Sequence, residues 1–397
     1  MTRDGRDWEV PELKGIRAGL VVVHTIPSAT RLWPIYCMLA QANSGVVWDF
    51  VVAPDRYNAP VLRFLADRGV VVVSWEDLVK GDQRRYGIAL AAARDGLELL
   101  RMPVIQIAHG ALREKWTPLS AGAGVLMPRT RYGTGVDFGV HQGRTVARYL
   151  VQAHRDEVDA LDPELRSIAW TLGDPMVDQF DGHLDMRESF RADLDIGCGQ
   201  RLVTVTSTAG RHCLWRDWPE LLHRLVTELP QHRYQVIAIL HPHLWYAFGE
   251  DLLNALRPSL RRGLRVVRPD DDWPVPVIAA DWVLGDHGSV FHYATRSSAA
   301  LLTAAFHHPS VYPGSARSEL GRLVPSLSRM DQIEARLIEV AHPDVRRLYA
   351  HAGERLSSEP GAFAANVRRL VHDVLKVREP TVSACLPPLE VPRLITG

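Results

Sequence analysis

The sequence has few cysteines, no long apolar run and no excess of charge of either sign. Its four cysteines lack CxxC spacing, which argues against a zinc ribbon or a disulfide framework. No segment approaches the roughly 18–20 apolar residues that span a bilayer, and the charged residues 1–7 lack the apolar core of a signal peptide. We therefore expect a soluble, cytoplasmic protein without a transmembrane segment.

Positive and negative side chains are equal in number. Lys plus Arg and Asp plus Glu each total 46, so the formal net charge is zero. No overall field then favours nucleic acid or an anionic membrane, and we expect neither as a general partner. Contact with a membrane-bound acceptor would need a local surface patch. A chain of 397 residues with 46% hydrophobic content is long enough for two globular domains.

Short runs of Val, Ile and Leu alternate with helical patterns along most of the chain. Continuous apolar runs predict strands that are covered on both faces. In the first half we predict strands at 18–24, 46–52, 69–74 and 103–107 and helices at 29–41, 61–68 and 145–160, whereas 88–93 fits either type. In the second half we predict strands at 201–206, 234–240, 264–268, 280–284 and 310–312 and helices at 218–229 and 291–306.

These repeated β-α-β units predict an α/β protein with two Rossmann-like, doubly wound parallel-sheet domains that face a cleft. We assign residues 1–180 to the N-terminal domain, 181–379 to the C-terminal domain and 380–397 to a Pro-rich, irregular tail. Ligands of open parallel sheets bind outside the carboxyl ends of the strands. The candidate site residues are therefore those that directly follow a predicted strand.

The most informative segment is 281–290, where an apolar strand runs into Asp286, His287, Gly288 and Ser289. Backbone N–H groups at such a turn suit a phosphate, although an ordinary loop with Asp286 or Ser289 as helix cap is the alternative. Polar residues also follow the other predicted strands of this domain: Thr206, Ser207, Thr208, Gly210, Arg211, His241 and Arg317. Small hydroxyls, backbone donors and cations of this kind are typical of a nucleotide-diphosphate site.

A zinc site is the main chemical alternative to a phosphate site. His241, His243 and His287 could be neighbours, and imidazole is a common zinc ligand. No HExxH pattern or cysteine cluster supports this interpretation. We therefore predict no metal site.

Several further motifs occur in a fixed order over roughly residues 100–320. They are a strand ending in His-Gly at 106–110, a Gly-x-Pro-x-x-Asp connection at 173–178, a His-Pro strand end at 240–242, the turn at 286–289 and the segment 308–312. Together they resemble the CDP-glycerol glycerophosphotransferase family, the teichoic acid primases and polymerases, within the GT-B glycosyltransferase superfamily. The family's Asp-Tyr-Ser-Ser element is Asp-His-Gly-Ser here, so one hydroxyl and the aromatic ring are absent.

This resemblance implies transfer of a glycerol-phosphate, polyol-phosphate or glycosyl group from a nucleotide-diphosphate donor to an acceptor hydroxyl, with a CDP-glycerol-like donor favoured. His109, the histidine of the His-Gly pair, is then the candidate base. Asp286 is the second candidate catalytic residue, and we expect it to orient its turn or a ribose hydroxyl. The resemblance also implies that no cofactor is required, since cationic side chains and helix dipoles commonly replace a metal in GT-B enzymes.

Three other functions stay open at this point. One is a glycosyltransferase that uses a UDP-sugar or another NDP-sugar in capsule or specialised-metabolite assembly. Another is a 2-epimerase-like enzyme, which would need carboxylates at strand ends, where Asp286 is one of few. The third is a non-catalytic GT-B-like protein that binds a nucleotide, an alternative suggested by the altered turn.

Overall fold

The computed structural model describes residues 17–41, 45–55, 57–116, 131–135 and 139–397. The charged segment at 1–7 lies outside them. The chain divides into two compact units. The first unit consists of the residues up to Asp178 together with Ser357–Pro387. The second unit consists of Gln179–Leu356 and Pro388–Gly397. None of the helices in these described ranges is long and apolar enough to cross a bilayer.

The first unit contains a seven-stranded sheet in which all neighbouring strands are parallel, in the order β3-β2-β1-β4-β5-β8-β9. Its strands are β1 (Arg17–Val23), β2 (Val46–Val52), β3 (Val72–Val73), β4 (Tyr86–Ala91), β5 (Val104–Ile107), β8 (Tyr149–Gln152) and β9 (Ala169–Thr171), and a separate hairpin joins β6 (Val140–His141) to β7 (Arg144–Thr145). Its helices are Ile26–Gln41, Asn58–Ala66, Trp75–Lys80, Arg155–Asp159, Pro163–Arg166 and Phe363–Leu375.

The second unit contains a six-stranded sheet in the order β14-β13-β10-β11-β12-β15. Its strands are β10 (Arg201–Ser207), β11 (Tyr234–Leu240), β12 (Leu264–Val267), β13 (Trp282–Gly285), β14 (Ala300–Thr303) and β15 (Leu394–Ile395). All pairs are parallel except β12 with β15. Its helices are Arg187–Asp193, Leu214–Asp217, Leu221–Glu228, Pro242–Phe248, Glu250–Leu260, Pro274–Ile278, Ser289–Tyr293, Ala316–Leu323, Ile333–Val340 and Pro343–Arg347, and Pro175–Asp181 spans the boundary between the units.

The two sheets confirm the predicted α/β class; the first sheet is wholly parallel, and the second is parallel except at its edge strand β15. Both central strands are buried, as their apolar sequences require: Leu20, Val21 and Val22 of β1 and Val203 and Val205 of β10 have no exposed surface. Burial on both faces is the reason that these strands read as continuous rather than alternating apolar runs. The ambiguous segment 88–93 lies mainly in strand β4.

Three predicted elements are wrong. The predicted helix at 145–160 contains β8 and only a short helix, Arg155–Asp159. The predicted helix at 291–306 ends early and is followed by β14, whereas the predicted strand at 310–312 is not a strand. Ala and Leu have high helix propensity, but β14 is buried along its whole length beside β13, and this tertiary packing overrides the local preference.

The C-terminal part of the chain differs from the predicted division at residue 180. Ser357–Pro387 belongs to the first unit, whereas we assigned 357–379 to the C-terminal domain and 380–387 to the tail. Helix Phe363–Leu375 carries the return, and its buried face includes Val367 and Val371. The tail is not wholly irregular, because β15 pairs antiparallel with β12.

Asp178, the aspartate of the Gly-x-Pro-x-x-Asp motif, fixes this return of the chain. Its carboxylate accepts hydrogen bonds from the N–H groups of Gly361 (2.7 Å) and Phe363 (2.9 Å), the latter being the first residue of the helix. Asp178→Ala should lower the free energy of unfolding by about 1–3 kcal/mol, because two backbone donors lose a charged acceptor. Urea denaturation measures this loss, and an unchanged unfolding midpoint would contradict it.

Candidate functional site

Three polar loops emerge side by side at the carboxyl end of the second sheet. Strands β13, β10 and β11 are adjacent and parallel, with Gly285 paired to Thr206 and Ser207 paired to Leu240. The loops that follow these strands are 286–289, 208–213 and 241–243. Within this unit the sheet therefore brings together the residues that the sequence grouped after separate strands.

The buried side chain of Asp286 forms hydrogen bonds with two of these loops. Its side chain has no exposed surface, and its Oδ2 atom accepts hydrogen bonds from the N–H groups of Thr208 and Leu214, both at 2.9 Å. Its Oδ1 atom accepts one from the N–H of Gly288, also at 2.9 Å. The carboxylate thus orients its own turn and the loop after β10.

Ser207 and His241 connect the second and third loops. The hydroxyl of Ser207 accepts a hydrogen bond from the N–H of Trp215 (3.0 Å), and its carbonyl accepts one from the N–H of His241 (3.0 Å). The Nδ1 atom of His241 accepts a hydrogen bond from the N–H of His243 (3.1 Å) and so caps helix Pro242–Phe248. These contacts fix the direction in which the His241 ring leaves the sheet.

Two glycines are required by the shape of the loops. Gly210 has φ of +118°, a conformation that other residues rarely adopt, and open space surrounds the position of a Cβ atom. A Cβ atom on Gly288 would lie 3.1 Å from Oδ1 of Asp286 and 3.2 Å from Cβ of Thr208. The glycine in the Asp-His-Gly-Ser turn thus lets the loop after β10 pack closely against it.

Six of the predicted binding or catalytic residues have buried side chains: Thr206, Ser207, Thr208, Asp286, His287 and Arg317. The guanidinium of Arg317 donates to the carbonyl of His287 (3.2 Å), and the His287 ring packs edge-on against Phe306 with centroids 6.0 Å apart. These buried side chains therefore stabilise the loops. The more accessible members are Gly210 and Arg211, which are exposed, and His241 and Ser289, which are partly exposed.

The structure contains a pair of stacked histidines that the sequence did not indicate, His307 and His212 of the loop after β10. The rings of His212 and His307 have centroids 3.8 Å apart and an interplanar angle of 6°. Burial lowers the pKa of His307, and His212 acts in the same direction. A cavity of about 340 Å³ lies next to His307, and its lining includes Trp218 and Arg329. His307 follows β14, whose strand character the sequence did not predict.

The zinc alternative needed three neighbouring ligands. Over the described ranges of the chain, no group of three or more His, Cys, Asp or Glu side chains is arranged to hold a metal ion. The rings of His241 and His243 stack on each other with centroids 5.8 Å apart. The ring of His287, the third proposed ligand, is buried against Phe306.

His109 lies in the first unit, two residues after β5. Its Nδ1 atom is 3.1 Å from the carbonyl oxygen of Ala92. The residue reaches solvent, yet desolvation of the ring by surrounding protein atoms lowers the pKa of His109 to about 4. Solvent access opposes this desolvation, whereas the positive charges of Arg113, Arg31 and Lys115 add to it. Whatever the extent of desolvation, the pKa of His109 lies below 7, so the imidazole is neutral at pH 7, as a general base requires.

Comparison with known proteins identifies similar structures but no matching sequence family. No protein-family model and no curated sequence matches the chain. One variant structure of the wall teichoic acid polymerase TagF aligns with a TM-score of 0.64 and 13% identity over 93% of this chain and 91% of that chain. A second TagF variant gives 0.63 and 14% over 94% and 91%.

A third similar structure is the UDP-GlcNAc 2-epimerase of Methanocaldococcus jannaschii in complex with UDP-GlcNAc and UDP. Its TM-score is 0.54, with 13% identity over 89% of this chain and 99% of that chain. Together with two doubly wound sheets, these similarities show that the chain has a GT-B fold, the fold that its motifs implied.

Proposed function

We propose that the protein transfers a glycerol-phosphate, polyol-phosphate or glycosyl group from a nucleotide-diphosphate donor to an acceptor hydroxyl, with a CDP-glycerol-like donor favoured. The main support is the loop assembly of the second unit, in which buried Asp286 holds the loops after β10 and β13 together. One TagF structure was soaked with CDPG, and the epimerase structure contains UDP-GlcNAc and UDP. Both observations favour a nucleotide ligand for this fold.

In this proposal the accessible loop atoms bind the diphosphate of the donor. The guanidinium of Arg211 offsets phosphate charge, and the exposed backbone at Gly210 allows close approach of a phosphate oxygen. His241 and Ser289 add side-chain hydrogen bonds. The buried residues Asp286 and Arg317 hold the loop backbone in place and do not themselves contact the donor.

His109 acts as the general base on the acceptor. Its neutral imidazole takes the hydroxyl proton as the acceptor oxygen attacks the donor. For a CDP-glycerol-like donor, the new bond forms to the phosphorus bearing the glycerol, the P–O bond to the other phosphate breaks, and CMP leaves. For an NDP-sugar, the oxygen attacks the anomeric carbon and the nucleoside diphosphate leaves. The proposed reaction needs no metal and no cofactor besides the donor.

Substitutions at the accessible loop residues test the binding site. His241→Ala and Ser289→Ala should each weaken binding of CDP or UDP about 2- to 10-fold, the loss expected for one hydrogen bond to a ligand. Isothermal titration calorimetry measures these affinities. His232, an exposed histidine just before β11 at the opposite end of the sheet, provides the control variant His232→Ala. Unchanged affinities in both site variants would reject this placement of the donor.

The nucleotide product separates the alternative functions. A thermal-shift screen with CDP, UDP, GDP and ADP identifies the base, since a ligand at 100 times its Kd stabilises by about 2.7 kcal/mol. Incubation with CDP-glycerol or with NDP-sugars then shows whether a nucleoside monophosphate or diphosphate is released. Release of CMP supports glycerophosphate transfer, and release of UDP supports sugar transfer. Tight nucleotide binding without release of nucleotide from any donor, and without epimerisation of an NDP-sugar, would favour a non-catalytic protein.

A further inference from the structure

Arg31 and Asp174 form a buried ion pair in the first unit, near the turn that carries His109. The Nη2 atom of Arg31 lies 2.6 Å from Oδ2 of Asp174, and the Nη1 atom lies 3.2 Å from Oδ1. Only 6% of the Arg31 side chain and 1% of the Asp174 side chain are exposed. The pair is bidentate, which fixes the plane of the guanidinium as well as its position.

The same guanidinium also holds the backbone immediately before His109. Its Nε atom donates a hydrogen bond to the carbonyl oxygen of Ala108 at 2.9 Å. Ala108 is the first residue after β5, so this contact defines how the chain leaves the sheet. A lysine has a single ammonium in place of the planar fork and cannot reproduce the three contacts in this geometry.

Asp174 is also held by backbone groups. Its Oδ1 atom accepts hydrogen bonds from the N–H groups of Met176 (2.7 Å) and Val177 (3.1 Å), at the start of helix Pro175–Asp181. Asp174 thus anchors Arg31 to the backbone. The contacts run without a gap from this helix start, through Asp174 and Arg31, to the carbonyl of Ala108.

A backbone carbonyl also holds the His109 ring itself. Its Nδ1 atom lies 3.1 Å from the carbonyl oxygen of Ala92, and this oxygen can only accept a hydrogen bond. The tautomer that satisfies this contact carries its proton on Nδ1 and leaves the lone pair on Nε2. The backbone before the residue and the inner ring nitrogen are therefore both held, and Nε2 is the nitrogen that can accept a proton.

We propose that Arg31, anchored by Asp174, is a positioning residue that fixes the Ala108–His109 turn. This inference rests on the proposed role of His109 as the base. Burial is the largest influence that lowers the pKa of His109; the Ala92 carbonyl raises it, and the cations of Arg113, Arg31 and Lys115 lower it further. Arg31 also binds the turn itself, through the carbonyl of Ala108.

Two variants test the positioning role. In Arg31→Met/Asp174→Leu both charges are removed, so no buried carboxylate is left unpaired. NMR of the His109 ring nitrogens in the full-length protein should show the Nδ1–H tautomer in the wild type and a mixture of both tautomers in this double variant, because the turn no longer holds the ring against the Ala92 carbonyl. Arg31→Lys retains the charge but not the planar fork, so the same loss of a single tautomer is expected there. Turnover should fall roughly 10- to 100-fold in both variants, with unchanged CDP or UDP affinity.

Arg63→Met, a substitution of an exposed arginine in the same unit, is the matched control and should leave the His109 tautomer and turnover unchanged. Wild-type turnover in Arg31→Lys, or a single Nδ1–H tautomer in a folded double variant, would overturn the inference. If the double variant does not fold, turnover of Arg31→Lys decides the question. If the wild-type protein transfers no group from any donor, the proposed function fails, whereas the tautomer measurement still tests whether Arg31 positions the His109 turn.

Discussion

Replacing His109 by alanine is expected to lower turnover roughly 10²- to 10⁴-fold, the range typical for loss of a general base. Nucleotide affinity should stay nearly the same, because the loop residues assigned to the donor (Gly210, Arg211, His241 and Ser289) all belong to the second unit. Steady-state kinetics with CDP-glycerol and NDP-sugars gives the turnover. Calorimetry with CDP and UDP gives the affinity.

A second histidine of the first unit provides the control for this experiment. The Nδ1 atom of His154 accepts a hydrogen bond from the N–H of Asp156 (3.2 Å) and so caps helix Arg155–Asp159. His154→Ala should therefore cost some stability and leave turnover intact. Equal turnover in His109→Ala and the wild-type protein would remove His109 from the mechanism.

The pH dependence of the reaction follows from the same residue. Because the pKa of His109 is lowered from 6.5 to about 4, the ring is neutral above that value and the acid limb of kcat/KM should lie well below pH 6.5. The unfolded chain binds a proton at this histidine near pH 6.5, before the folded protein does. The residue therefore costs no stability at pH 7 and destabilises the fold progressively as the pH falls from 6.5 towards 4. His109→Ala removes that part of the acid sensitivity.

The predicted strand 46–52 coincides with β2, although only the last three residues of β2 are buried. The predicted strand 234–240 also coincides with β11, which is buried along its whole length, because an apolar run bounded by polar turns leaves little choice of element. Strand β14 was missed for the opposite reason. Its Ala-Leu-Leu-Thr sequence also suits a helix, and only its neighbour β13 determines the outcome.

The candidate site shows a similar division. The rule that ligands bind at carboxyl ends of parallel strands grouped the loops after β10, β11 and β13 correctly within the second unit. The direction of each side chain in these loops could not be predicted, because strand alternation stops where the strand ends. His287 and Arg317 point inward for reasons of tertiary packing. The contact of Arg31 with Asp174 joins residues 143 positions apart, and no local pattern indicates it.

Replacing Asp286 by alanine is expected to have the largest effect in the second unit. Three backbone N–H groups, those of Thr208, Leu214 and Gly288, lose a buried carboxylate that accepts all of them. The free energy of unfolding should fall by about 3–5 kcal/mol, since each buried donor left without an acceptor costs about 1–3 kcal/mol and the loops relax in part. Affinity for CDP or UDP should fall at least about tenfold, because the loops that we propose to bind the diphosphate separate.

Asp281 lies at the end of β13 opposite to Asp286, and its replacement distinguishes a loss of stability from a loss of nucleotide binding. Asp281 precedes β13 and accepts hydrogen bonds from the N–H of Leu202 (2.7 Å) and from Arg187 and Arg191. Asp281→Ala should also lower the free energy of unfolding, but it lies at the amino end of the sheet and should leave nucleotide affinity unchanged. Where Asp286→Ala fails to fold, Asp286→Asn retains one acceptor oxygen and gives the affinity measurement. Wild-type affinity in a folded Asp286 variant would show that the loops it joins do not bind the nucleotide.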